Sequence, residues 1–150
     1  MTPDVPLSHE FVESVPDVVK ERTLYVSIKF ATVIHKCCCG CGREVVTPLS
    51  PTGWSFTFDG KTLSLHPSIG SWSLPCQSHY WIRNNKAIWA PRWTEAEIRA
   101  GRAQEALAKK KYFERVKTPG PKDADGAVAQ PGATNLNGNL WQRLKKWFFG

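Results

Sequence analysis

The sequence predicts a small, mostly β domain built from antiparallel hairpins and stapled by a metal site. One α-helix and a tethered C-terminal amphipathic helix follow it. Three observations carry this expectation. Two turn signals sit between alternating apolar residues, a dense cysteine cluster faces a distant Cys/His pair, and a helix start signal appears at Thr94. The chain has 150 residues and a net charge of +7, a length suited to one domain. It contains no run of about 18 apolar residues that would span a membrane. Its N-terminus lacks a basic-then-apolar signal pattern, so the chain is read as cytoplasmic.

Residues 1–21 form an acidic lead of net charge −4, punctuated by Pro3, Pro6 and Pro16, which prevent a long helix. Residues 22–93 form the β domain. Residues 22–36 read as one strand, because Leu24, Val26, Ile28 and Phe30 alternate with Tyr25, Ser27, Lys29 and Ala31. Val45–Thr47 is a short strand. Trp54, Phe56 and Phe58 alternate with Ser55 and Thr57, Asp59-Gly60 supplies a two-residue turn, and Leu63 and Leu65 continue beyond it. Tyr80–Arg83 and Lys86–Ala90 repeat this arrangement around Asn84-Asn85, since asparagine tolerates positive φ.

A helix spans 94–116. Thr94 and Glu97 form a capping box, with Trp93 and Ile98 at the staple positions. Residues 117–139 are rich in Gly, Pro, Ala, Asn and Asp and read as a flexible linker. In 140–150, Leu140, Trp141, Leu144, Trp147 and Phe148 share one helical face, with Gln142, Arg143, Lys145 and Lys146 opposite. That is a basic amphipathic helix, suited to the chain's own domain, a protein groove or, through 140–149, a membrane surface.

All five cysteines fall within 37–76, and four of them are Cys37, Cys38, Cys39 and Cys41. An odd count in a cytoplasmic chain argues against a disulfide framework. A metal clamp fits better, with one knuckle at 37–41 and a second at Cys76-Gln77-Ser78-His79. Zinc takes four N or S ligands in a tetrahedron. Gly40 and Gly42 allow the tight turn this needs. The favoured set is Cys39, Cys41, Cys76 and His79, with Cys37 as first substitute. Cys38 could pair with Cys41 only by pointing opposite to its neighbours, and His35 could serve as a ligand or as support for one. A Cys–His catalytic pair is the enzymatic alternative. Ser68 to Trp72 could frame a groove beside the metal, and Trp54, Trp72, Trp81 and Trp89 serve most simply as core.

Three elements in order carry a resemblance: His35 to Gly42, Pro67 to Trp72, and Cys76 to Ile82. Together they resemble a family of small bacterial and phage proteins of unassigned function. Some of its members are encoded beside ubiquitin-like conjugation components. The resemblance implies zinc binding in which Cys37, Cys39, Cys41, Cys76 and His79 matter together; Cys38 departs from its pattern. It covers most of 22–93 and does not reach the lead, the linker or the tail. The reading is a non-enzymatic zinc module, an adaptor or accessory component of a bacterial ubiquitin-like system or a related phage function, with conjugation components as protein partners. The alternative is a nucleic-acid-binding zinc protein using the basic surface.

Overall fold

The computed structural model describes residues 2–118. The expected linker (117–139) and amphipathic helix (140–150) fall outside these residues from 119 onward. The architecture is mostly β, as expected: nine strands, then one helix. The strands are β1 (Val5–Pro6), β2 (Ser8–Phe11), β3 (Thr23–Ser27), β4 (Thr32–Lys36), β5 (Glu44–Pro48), β6 (Ser55–Phe58), β7 (Leu63–Gly70), β8 (His79–Arg83) and β9 (Lys86–Trp89). The helix α1 spans Glu95–Lys117.

They form two sheets, ordered β1-β9-β8-β7-β6 and β2-β3-β4-β5. All pairings are antiparallel except the parallel β2–β3 pair. One apolar cluster joins the sheets. Leu24, Val26 and Val33 come from the smaller sheet, and Leu63, Leu65, Ile69, Tyr80, Ile82 and Ala87 from the larger. Trp54, Phe56 and Trp89 pack around its margin.

The acidic lead takes part in both sheets. β1 pairs with β9 and β2 with β3, and buried Leu7 lies between the two strands. Leu7 N donates to Asn85 O at 2.8 Å, and Ser8 N donates to Arg22 O at 2.8 Å. These strands are two and four residues long and are held by main-chain bonds, so they carry no apolar pattern of their own.

Residues 22–36 are a hairpin, not the single strand expected. β3 and β4 pair from Tyr25↔Ile34 to Ser27↔Thr32. The chain reverses through Ala31, whose φ is 47°. Ile28 and Phe30, which extend the alternation in the sequence, are exposed at the tip. The other hairpins form where expected. Asn84 and Asn85 adopt φ of 47° and 58°, the conformation a two-residue turn demands. In the β6–β7 hairpin the tip lies one residue further on than expected. Asp59 N donates to Thr62 O, leaving Gly60-Lys61 at the apex, and the Asp59 carboxylate accepts from Lys61 N and Thr62 Oγ1.

At the start of α1, Thr94 N donates to Glu97 Oε2 at 2.6 Å and Glu97 N to Thr94 Oγ1 at 3.3 Å, the expected capping box. Ile98 is the helix's buried residue. Gly101 brings α1 against the Trp93 ring, where a Cβ would sit 2.8 Å from the indole. No helix among the described residues is long and apolar enough to cross a membrane.

Candidate functional site

Two constellations lie on either side of the turn that joins β7 to β8. The first is a sulfur cluster. Cys37 follows β4 directly, and its N–H donates to Arg43 O at 2.8 Å, closing the loop between them. Gly40 and Gly42 have φ of 85° and 76°, the left-handed region a side chain disfavours. This folds Cys37, Cys39 and Cys41 toward one point. Cys76 arrives from the second turn, which is closed by Ser71 N donating to Ser78 O and Gln77 N donating to Leu74 O.

The four sulfurs all lie within 4.8 Å of one another. Cys37–Cys39 is 3.4 Å, Cys37–Cys76 is 3.8 Å and Cys41–Cys76 is 4.0 Å. Four sulfurs at metal bonds of about 2.3 Å in a tetrahedron stand about 3.8 Å apart. The cluster therefore has the dimensions to hold a metal ion, and its cysteines are free of disulfides. Burial pushes the Cys37 thiol up to about 12. Burial also raises Cys39, but hydrogen bonds from the Ser78 hydroxyl and the Cys41 amide outweigh it and hold Cys39 at about 7.

Four of the five expected ligands thus converge. Cys38 points elsewhere, as its departure from the family pattern suggests: it packs against the core, and burial raises its thiol to about 11. His35 is buried and hydrogen-bonded through Nε2 to Tyr80 Oη at 2.8 Å. Desolvation lowers its pKa to about 4.

His79 stands outside the sulfur cluster, with a partner at each ring nitrogen. Nδ1 lies 2.7 Å from Pro91 O. A carbonyl only accepts, so Nδ1 carries the proton and donates it. In the neutral ring this leaves the Nε2 lone pair facing Ser68 Oγ at 3.0 Å, and the hydroxyl donates to it. Ser68 lies on β7 where the register with β8 shifts between Leu65 and Ile69, an irregularity of the kind that re-aims side chains. His79 begins β8 opposite Gly70, so Ser68, two residues from Gly70, shares its face.

Aromatic rings enclose the imidazole. Trp72 and Trp93 stack on each other at 5.4 Å, 18° apart, and lie 5.0 and 5.1 Å from the His79 ring. Trp81 lies 6.2 Å away. Only 5% of His79 is exposed. A hydroxyl bonded to an oriented, buried imidazole is the arrangement that activates a serine nucleophile. In the sequence Ser68 belongs to the Pro67 to Trp72 element and to a possible groove, with no chemical role assigned to it. The usable signal was a serine and a histidine in two separate motif elements, one on each of two strands that pair.

The model of a family described as "Bacterial ubiquitination-like system serine protease (BubE)" matches residues 11–90, and the chain belongs to that family. The expected link to bacterial ubiquitin-like systems therefore holds, while the family's description is silent on metal. No curated protein and no solved structure matches the chain.

Proposed function

We propose that this chain is a serine hydrolase of a bacterial ubiquitin-like system, cleaving an acyl bond in a ubiquitin-like protein or its conjugate. One observation carries the reading: Ser68 Oγ lies 3.0 Å from His79 Nε2 while Nδ1 is anchored 2.7 Å from Pro91 O. Ser68 Oγ attacks the substrate carbonyl and its proton passes to His79 Nε2. The new Oγ–C bond forms, the bond to the leaving amine or alcohol breaks, and His79 returns the proton to the leaving group. Water then attacks the acyl-serine, giving one proton to His79, which passes it to Ser68 Oγ as the Oγ–C bond breaks and the acid departs. The Pro91 carbonyl takes the orienting place that a carboxylate holds in a triad. The Trp72, Trp81 and Trp93 rings limit water around the imidazole.

The metal of this reading is zinc, one per chain, bound by Cys37, Cys39, Cys41 and Cys76, while His79 serves the hydroxyl. Four thiolates close the coordination sphere, so zinc would supply a staple and leave no open position for chemistry. A small β unit gains folding energy from such a site.

An alkyl fluorophosphonate tests the serine. Protein purified without chelator should be modified at Ser68, found by peptide mass spectrometry. Ser68→Ala should abolish labelling, and His79→Gln should slow it roughly 100-fold or more. Elemental analysis of the same preparation should return one zinc. A chain that binds conjugation components but never labels at Ser68 would be the non-enzymatic adaptor expected from the sequence.

A further inference from the structure

We propose that the outer edge of β7, from Ser68 to Gly70, is the docking edge for the substrate main chain, which adds there as an extended strand. The inference rests on reading Ser68 as a nucleophile. β6 covers β7 only from Phe58↔Leu63 to Ser55↔His66. Before Ser55 the chain leaves the sheet: Trp54 N donates to Pro48 O, Gly53 N to Ser50 O and Ser50 N to Trp54 O. Trp54 bridges Leu49. The main-chain bonds of this segment thus go to itself and to the end of β5.

On its other side β7 stays paired to its end. Ile69 faces Tyr80 and Gly70 faces His79, and Ser71 N donates to Ser78 O at 2.8 Å. In an antiparallel ladder the main-chain groups of successive residues point to opposite sides. Ser71 bonds toward β8, and so does Ile69. The N–H and C=O of Gly70 therefore point away from β8, to the side that β6 does not reach.

Such an edge is a template for another strand. Natural edges are commonly blunted with charge, but Pro67, Ser68, Ile69 and Gly70 carry none. A peptide laid along this edge has its main chain beside the Ser68 hydroxyl, so pairing and delivery of the scissile carbonyl become one event. Main-chain bonds then hold the substrate, and the side chains set the preference.

The test uses phosphonates that differ only in main chain: acetyl-Ala diphenyl phosphonate, acetyl-Ala-Ala-Ala-Ala diphenyl phosphonate, and tetrapeptides N-methylated at one amide each. In each case Ser68 Oγ bonds to phosphorus, phenoxide leaves and the proton passes to His79. The tetrapeptide should label Ser68 roughly tenfold faster or more. Methylating the amide that pairs with the edge should slow it roughly 2- to 10-fold, the effect of one main-chain hydrogen bond. In the tetrapeptide adduct the Gly70 amide should be protected from hydrogen exchange, and in the single-residue adduct it should not. If Ser68 labels but neither peptide length nor N-methylation matters and Gly70 is equally protected in both adducts, the edge is refuted and the nucleophile stands. If neither these reagents nor the alkyl fluorophosphonate label Ser68, both readings fall.

Discussion

Gly70→Ala probes the packing that encloses His79. A Cβ at this position would fall inside the Trp72 indole. Gly70 is not among the glycines with positive φ, so its backbone suits alanine and the effect isolates the ring contact. Two terms oppose each other. Overpacking costs about 1–3 kcal/mol, while replacing glycine by alanine in a compatible conformation returns about 0.4–1 kcal/mol through the unfolded chain. The expected net loss is about 1–2 kcal/mol in urea denaturation. In a Trp72→Ala background the clash is gone and only the favourable term survives. Gly70→Ala should then stabilise by about 0.5 kcal/mol, a coupling in the range found for touching residues. Because the Trp72 ring lies 5.0 Å from His79, fluorophosphonate labelling of Ser68 should slow in the single variant. Equal effects of Gly70→Ala in both backgrounds would show that the ring does not depend on the missing Cβ.

Tyr80→Phe should destabilise the chain by about 1–3 kcal/mol, because it strips the partner from buried His35 Nε2 when Nδ1 has none among the described residues. Pairing it with His35→Leu should recover most of that loss in the same denaturation assay. The α1 cap should respond to acid. Hydrogen bonds from the Thr94 amide and hydroxyl hold the Glu97 carboxyl below its ordinary value, so the cap's contribution is present above the unfolded pKa and lost as pH falls through the lower folded one. Amide shifts of Thr94 and Glu97, followed by NMR from neutral to acid pH, should titrate below the usual glutamate midpoint; a midpoint at or above it refutes the cap.

The hairpins were legible because their turn chemistry is local: Asp59-Gly60 and Asn84-Asn85 each advertise a reversal, and apolar alternation flanks them. The β3–β4 reversal was not, because Ile28 and Phe30 carry the alternation straight through the turn and then stand in solvent. Only the positive φ of Ala31 marks the break, and alanine gives no hint of it. The sulfur cluster was legible as a cluster. Which sulfurs converge depends on two glycines turning the loop and on the alternation past the end of β4, which puts buried Cys37 at the shared point and leaves Cys38 packed against the core elsewhere. His79 is read from the sequence as a metal ligand and stands instead outside the sulfur cluster, because one motif cannot say which neighbour a ring nitrogen meets. That neighbour is set by the β7–β8 register and its irregularity, a long-range fact that serine's ordinary abundance hides.

The two constellations share one short piece of chain, and this explains why a closed metal staple would sit beside a hydroxyl–imidazole pair. Cys76 enters the sulfur cluster, Ser78 lies beside the Cys37 and Cys39 sulfurs, and His79 follows at once. Gln77 between them takes a φ of 44°, so the turn is held in a conformation it would not keep unaided. On its far side, Ser71 N ties the same turn to the end of the strand that carries Ser68. Holding Cys76 therefore fixes where β8 begins, and with it the position of Nε2 relative to Ser68 Oγ. The Pro91 carbonyl fixes the ring's rotation from the opposite side. Strand pairing sets the residues opposite each other, the sulfur cluster fixes the turn, and one carbonyl sets the tautomer. A fold this small has few buried side chains to spare for such positioning, and on the proposed zinc four cysteines in two turns would achieve it without enlarging the core.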